Sequence, residues 1–453
     1  MSPAYIFLIV IAGVSMLLLM VLKFRLNAFI ALLITSILVG ILAGMPLPAI
    51  TESIQEGMGS TLGFIATIVG LGAIFGQMLE SSGGARALSK YLLKKFGRKR
   101  APWALMLSGF MIGIPIFLDV GFIILIPVIY ALTRETRRSL LYFAMPLLAG
   151  LAVGHAMIPP TPGPVAVSNI LEADLGWVIL FGVITGLPAA VIGGVFFGRY
   201  ISGKIDIPAP EGLEIPGEEP DPATKKVPSY GITALLIFIP LLLILTGTFT
   251  KVGVEKNMIP ASLLSDIIIF TGHPFTALII ATLLSILLCV RLKMTGQMIL
   301  DLSTRALGPA GIIILVTGAG GVLKQILVDS GIGVILAESI AGSSIPLVFL
   351  AWALAALVRV TQGSATVAMI TAAGIISPVL PLMNLSQPQT AIIVVAIASG
   401  ATILSHVNDS GFWIVNRYLG MNEKQTLQSW TVMETIISVV GLLLSLLLSV
   451  LIR

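Results

Sequence analysis

The chain has 453 residues, of which 57% are hydrophobic and 10% charged, with a formal net charge of +5 and a mean hydropathy of +1.06. Soluble globular chains carry about 25% charged residues, so this composition excludes one and points to an all-α polytopic membrane protein. The basic excess gathers in short loops, where the positive-inside tendency explains it without any nucleic-acid partner. A single cysteine, Cys289, excludes an intrachain disulfide. With no phosphate-binding glycine loop, HExxH or CxxC motif, no cofactor or metal site is expected.

In chain order, the first predicted spans are Ala4–Leu22 and Leu26–Gly44, joined by a turn holding Lys23 and Arg25. That turn reads as cytoplasmic, which places the N-terminus outside. Pro3–Leu22 lacks a basic leader and a small-residue cleavage site, so it reads as a span and not as a signal peptide. The following stretch carries Glu52 and Glu56 and no basic residue, as expected of an outside loop. Span 3, Thr61–Ser81, returns inward to a loop of seven basic residues, Arg86, Lys90, Lys94, Lys95, Arg98, Lys99 and Arg100.

The apolar run Pro102–Leu132 holds one charge, Asp119, within Gly113-Ile-Pro-Ile-Phe-Leu-Asp-Val-Gly121, and Arg134, Arg137 and Arg138 follow it. A single crossing would put basic clusters on both faces. A run that enters and returns keeps both inside. Its halves are about 20 Å each at 1.5 Å per residue, short of a core of about 30 Å. A re-entrant hairpin over 102–132, broken near Pro115, is therefore predicted.

Span 4 (Leu140–Met157) precedes a broken segment, Pro159-Pro-Thr-Pro-Gly-Pro164, and span 5 is Trp177–Tyr200. Residues 203–229 read as a polar cytoplasmic linker between two units, 1–202 and 230–453. Spans 6, 7 and 8 are Tyr230–Thr248, Pro274–Val290 and Pro309–Val328. A second lone-charge run, Ile345–Ser377, contains Arg359 and the break Thr361-Gln-Gly-Ser-Ala-Thr366, with no basic residue in its flanks at 331–344 and 378–387. This second hairpin, 345–377, is predicted to enter from outside. Span 9 (Gln389–His406) and span 10 (Ser429–Leu451) complete about ten spans plus two hairpins, with both termini outside.

A shift of 248 places Gly70, Gly72, Gln77, Leu79, Ser82 and Gly83 on Gly318, Gly320, Gln325, Leu327, Ser330 and Gly331, and Pro115 on Gly363. Span 3 runs inward and span 8 outward, so the halves are predicted to be inverted repeats. That architecture belongs to secondary transporters, whose site lies near the midplane between broken helices.

Four broken segments are expected to converge: 113–121, 159–164, 361–366 and 405–411. They offer Pro115, Asp119, Thr161, Pro162, Gly163, Thr361, Gln362, Gly363, Ser364, Thr366, Ser405, Asn408, Asp409 and Ser410 as substrate-binding candidates. Half-helix N-termini attract an anion and the hydroxyls suit a polyol, so a small hydroxylated carboxylate fits. The alternative is that Ser and Thr bond back to helix carbonyls. Asp119 and Asp409 are candidates to carry a proton, since a charge at the bilayer centre costs about 2.5–3.5 kcal/mol on the mildest scale and a neutral acid avoids it. Each can instead cap a half-helix. Arg359 can meet a substrate carboxylate, satisfy hairpin carbonyls or snorkel. His406 can relay a proton or, like His155, serve as a hydrogen-bonding partner.

In Gly113–Gly121, Pro159–Pro164 with Ser168-Asn169, Val358–Thr366 and Ser405–Trp413, the sequence resembles the bacterial gluconate:proton symporter family, and the likeness runs essentially end to end. The resemblance implies proton-coupled uptake of gluconate or a related sugar acid across the inner membrane. It also implies a homodimer in which a transport domain slides against a scaffold. Members of that family also carry other hydroxy acids and D-serine, so a glycerate or D-serine symporter is an alternative. A sodium-coupled symporter, a passive anion channel and a membrane enzyme are the others; the last lacks any recognisable nucleophile–base or metal-ligand set.

Overall fold

The computed structural model describes residues 3–209, 227–332, 334–335 and 345–452. Most of the predicted linker and of the flank at 331–344 lies outside the described residues. Among the described residues the chain is helical, with no strand.

The helices are α1 (Pro3–Leu22), α2 (Ala28–Leu42), α3 (Leu47–Ser81), α4 (Gly84–Phe96), α5 (Ala101–Gly113), α6 (Leu118–Thr136), α7 (Leu141–Met157), α8 (Pro162–Ile170), α9 (Leu175–Ala190) and α10 (Phe197–Ser202). The second set is α11 (Tyr230–Glu255), α12 (Leu263–Gly272), α13 (Pro274–Arg291), α14 (Gly296–Asp329), α15 (Leu347–Gln362), α16 (Ala365–Ile376), α17 (Gln387–Gly400), α18 (Ser410–Leu419), α19 (Glu423–Thr426) and α20 (Val432–Leu451). Among the described residues eight helical stretches are long and apolar enough to cross a membrane, and α2, α15 and α17 are shorter apolar helices. Large apolar side chains stand exposed on the outer helices, among them Leu8, Leu263, Phe270, Leu443 and Leu447. In water such a surface would be costly; against lipid it is the expected coat.

The long helices start earlier than predicted. Pro48 opens α3 in the first turn, where a proline loses no helix bond, and Ile50, Ser53 and Gly57 form a buried stripe at helical spacing. Glu52 and Glu56 are therefore on a helix and not in a loop. Likewise α14 begins at Gly296 and carries Pro309 within it. The basic stretch after α3 is also helical: α4 buries Ala85, Leu88 and Leu92 and turns its lysines outward. Adding 248 to the bounds of α3 gives 295–329, against 296–329 for α14, and the same addition to α8 gives 410–418, against 410–419 for α18.

α3 and α14 pack along each other, with α13 against α3 and α2 against α14. Their backbones touch at Gly57 and Gly321, where an added Cβ would meet a carbonyl oxygen or Cα of the partner helix within 2.8 Å.

The run 102–132 folds as two helices, α5 and α6, broken at Ile114–Phe117. Arg98, before α5, forms an ion pair with Glu135 in the last turn of α6. The two ends of the run therefore meet, and the chain doubles back. The second arm is longer than expected, 19 residues against 13 in α5, because the helix continues through Arg134 to Thr136. In the second run α15 and α16 also pack on each other, with Gly363 at the bend in the left-handed region, φ +79°. Span 9 ends early, at Gly400, and residues 401–409 leave the helix before α18 begins.

α5 is held against α7 by glycine pairs four residues apart, Gly109 and Gly113 facing Gly150 and Gly154. A Cβ on Gly150 would lie 2.1 Å from the Met106 carbonyl oxygen, and one on Gly154 would lie 2.5 Å from that of Phe110. Small residues at this spacing let membrane helices approach to backbone contact. Gly150→Val is expected to destabilise the protein by about 1–3 kcal/mol, the usual cost of overpacking. Gly59→Val, at a position with nothing within 4 Å, should cost less. Thermal unfolding of both variants in detergent, with equal losses as the contrary result, checks this.

Candidate functional site

A break in a helix leaves carbonyls without donors on one side and N–H groups without acceptors on the other. At the bend after α15 the carbonyls are satisfied by side chains. The Arg359 guanidinium donates to the Gly363 carbonyl. Asn408 Nδ2 donates to the carbonyls of Val360 (2.9 Å) and Thr361 (3.3 Å), and His406 Nε2 lies 2.9 Å from the Val360 carbonyl. The 401–409 segment thus serves as the cap of α15. A Cβ on Gly363 would sit 2.2 Å from the Asn408 carbonyl oxygen, so only glycine allows this approach.

The same segment supplies Asp409. Its Oδ2 accepts from Arg359 Nη2 at 2.5 Å and from the Ser405 hydroxyl, while Oδ1 accepts from the Gly411 N–H at 3.0 Å and caps α18. Ser405 in turn accepts from the Trp430 indole N–H at 2.7 Å. Trp430, Ser405, Asp409, Arg359 and the Gly363 carbonyl form one chain of hydrogen bonds from the foot of α20 to the bend of the second hairpin. Arg359 is 4% exposed, so this is a largely desolvated pair.

The N–H side of the breaks is arranged differently. A cavity of about 230 Å³ is lined by Phe117, Leu118 and Asp119 at the start of α6, Ala365 at the start of α16, and Ser410 and Gly411 at the start of α18. Three helix N-termini therefore open onto one space. Each carries roughly half a positive charge, and Arg359 joins them from α15. His155 from α7 and Glu434 from α20 complete its ionisable lining. The volume is below the about 300–1,000 Å³ typical of drug-sized ligands. An arrangement of this kind can hold a small anion by charge-assisted hydrogen bonds.

Of the residues singled out by sequence, Asp119, Arg359, Asp409 and Ser410 line this cavity. Asp119 is exposed to it and not buried. Pro115, Thr161 and Pro162 line a second, small space of about 10 Å³ beside α3, which shares Phe117 and His155 with the first. The 159–164 segment is thus separated from the main cavity by the Phe117–His155 pair, whose ring centroids are 5.4 Å apart. Gly163 packs against Met369, 2.8 Å from an added Cβ to its sulfur.

The hydroxyls are mostly committed elsewhere. Thr161 donates to Ile158 and Thr361 to Leu357 and Val358, while Ser364 accepts from the Val367 N–H and caps α16. Thr366 is partly buried in the first turn of α16 and outside both cavity linings. Both amide atoms of Gln362 are buried without a partner among the described residues.

The sequence reading passed over Glu434 and Trp430. Glu434 is the only ionisable residue within Ser429–Leu451, the same lone-charge signal that singled out Asp119. Two larger clefts, about 610 and 570 Å³, share Glu172 and Gln387; the second also holds Lys324, paired to Glu172 at 2.8 Å.

Comparison with known proteins agrees over nearly the whole chain. The model of the family described as GntP family permease matches residues 5–451. A low-affinity gluconate transporter of Escherichia coli (strain K12) is 39% identical, with 97% of each chain covered. A gluconate permease of Pseudomonas aeruginosa is 39% identical over 98% of each chain. The L-idonate transporter of the Gnt-II system of E. coli is 36% identical over 96% of this chain and 97% of its own length. In structure the chain resembles the crystal structure of the YdaH transporter of Alcanivorax borkumensis, with a TM-score of 0.65 over 94% of this chain and 97% of that one. At 16% identity this second likeness bears on the fold alone.

Removing one partner of a desolvated ion pair strands the other. Asp409→Ala is expected to destabilise the protein by about 3 kcal/mol, and Arg359→Met with Asp409→Ala by less than the two single changes summed. Unfolding in detergent across this double-mutant cycle measures the coupling; strict additivity would contradict it.

Proposed function

This chain belongs to the GntP permease family, and from that premise and its cavity we propose that it imports gluconate or a closely related sugar acid together with protons across the bacterial inner membrane. The observation that carries the reading is the convergence of three helix N-termini and Arg359 on one cavity. That field favours a carboxylate. The relatives' names add the class: gluconate and L-idonate are both hydroxylated carboxylates. The reading is of a transporter and not an enzyme.

The two halves are inverted repeats on this proposal, each with a re-entrant hairpin, and both termini are periplasmic. Support comes from the basic clusters at the two ends of the first hairpin, which the Arg98–Glu135 pair brings together. The moving body is the two hairpins with α7, α8, α17 and α18, sliding as an elevator against a frame of α2, α3, α13 and α14 in a homodimer. Glycines line the sliding surface of the frame. Gly76 on α3 faces the Pro115 carbonyl, and Gly320 on α14 faces Ile370. Proton coupling is supported by three carboxyl groups around the cavity against one guanidinium. A proton taken up on one of these carboxyl groups offsets the charge that the anion adds to the cavity.

Purified protein in proteoliposomes is expected to accumulate labelled gluconate when an inward proton gradient is imposed, with no response to sodium. Unlabelled L-idonate should compete better than glycerate or D-serine. Flux that equilibrates without accumulation would contradict the reading in favour of a channel, and a sodium requirement would replace the coupling ion. Arg359→Lys should raise the gluconate concentration giving half-maximal uptake about tenfold or more, since a charge-assisted hydrogen bond contributes about 1.5–3 kcal/mol. An unchanged half-saturation concentration would remove Arg359 from the binding site.

A further inference from the structure

Five ionisable groups around the breaks are candidates to carry a proton, Asp119, His155, His406, Asp409 and Glu434, and their surroundings separate them. Asp409 is engaged by Arg359, Ser405 and the Gly411 N–H, so protonating it breaks the network that caps α18 and anchors α15. His406 is occupied with the Val360 carbonyl. Asp119 is exposed in the first turn of α6 and not enclosed by protein. His155 also lines the cavity with its Nδ1 buried and unpartnered among the described residues, but a proton there adds a cation to a cavity that Arg359 already lines. Glu434 is the one acid so placed among these groups. It is 3% exposed, it lines the cavity, and its Oε1 is buried with no hydrogen-bond partner among the described residues.

Resting on the symport reading above, we propose that Glu434 is the residue that carries the coupled proton, and that the substrate carboxylate held at Arg359 is what makes it take that proton up.

The surroundings of Glu434 can be enumerated. α20 packs against α7, α9, α15, α17, the turn 191–196 and the turn 427–431. Of these, α9, α17 and the two turns carry no ionisable residue. The groups that face it are Arg359 on α15, Asp409 beyond α17, His155 on α7 and, across the cavity, Asp119 on α6. Asp409 already takes one arm of Arg359. A carboxylate without a partner in such a place is costly, and the neutral acid much less so. When the cavity is empty and wet, water and Arg359 can hold Glu434 as an anion. When a sugar-acid carboxylate comes to Arg359 and the α18 N-terminus, it adds a further negative charge and removes that water. Glu434 then takes a proton from the outer solution, and returns it to the cytoplasmic water after the anion has left. By linkage, each ligand raises the affinity for the other.

Three measurements on reconstituted protein test this. In the first, unsubstituted protein is assayed for gluconate accumulation under an inward proton gradient; no accumulation would fail the symport reading itself, before Glu434 is considered. In the second, Glu434→Gln is expected to lower that accumulation more than tenfold. Its gluconate exchange between internal and external pools should persist and become flat between pH 5.5 and 8.5. In the third, Glu434→Asp should restore proton-driven accumulation at least in part. If Glu434→Gln still accumulates gluconate, or if exchange is lost along with accumulation, the assignment is overturned. Failure of Glu434→Asp to recover any accumulation would also contradict it.

Discussion

A helix interrupted inside hydrocarbon must find partners for the backbone groups that the break releases, because lipid offers none. Here the two kinds of group are treated unequally. The carbonyls at the end of α15 are bound by Arg359, Asn408 and His406, all supplied by the protein. The N–H ends are only partly served: Asp409 takes the Gly411 N–H of α18 and Ser364 the Val367 N–H of α16, while α6 has no side-chain cap and opens onto the cavity. What satisfies the start of α6 is left to water or to an anion. On the proposed function, the carboxylate that is transported completes a hydrogen-bonding requirement that the fold leaves open.

Helix bounds recur at a shift of 248 for α3 with α14 and α8 with α18, but the chemistry does not. Shifted by 248, Arg359 falls on Met111, Glu434 on Gly186, Asp119 on Val367 and Asp409 on Thr161. The last pair keeps a structural part in common, since Thr161 and Asp409 are the N-cap residues of α8 and α18. Only Asp409 brings a charge with it. The matching position to the Arg–Asp network, around Met111 and Thr161, is packed: Met111 and Thr161 are both buried. Around Met111 and Thr161 apolar contacts and a small void stand where the Arg–Asp network would be, and the cavity draws Asp119 and His155 from one half and Arg359, Asp409 and Glu434 from the other. Glycine serves both halves alike. Gly109, Gly113, Gly150 and Gly154 let α5 and α7 touch, and Gly400 meets the Trp352 carbonyl oxygen where α17 crosses α15.

Much of this was legible in the sequence because the membrane imposes simple rules. Apolar length found the spans, and helix breakers at Pro115 and Gly363 within lone-charge runs found the bends. The misses have a common cause. α3 and α14 extend beyond their apolar stretches, and α4 and α18 are amphipathic helices carrying charges, so hydropathy alone does not separate them from loops. Hydroxyls such as those of Thr161 and Thr361 attracted a binding role by residue type, yet they bond to carbonyls three or four residues back. Residue type cannot distinguish the two uses. Asp119, Arg359 and Asp409 stood out as single charges in apolar surroundings. Glu434 gives the same signal, but it lies in a helix with no break to draw attention to it.

A structure determined with gluconate bound tests the central claim most directly. The account predicts the ligand carboxylate in the 230 Å³ cavity, within hydrogen-bonding distance of Arg359 and of backbone N–H groups in the first turns of α6 or α18. Gluconate seated instead in the cleft lined by Glu172 and Lys324, with the three helix starts unoccupied by any carboxylate, would contradict it.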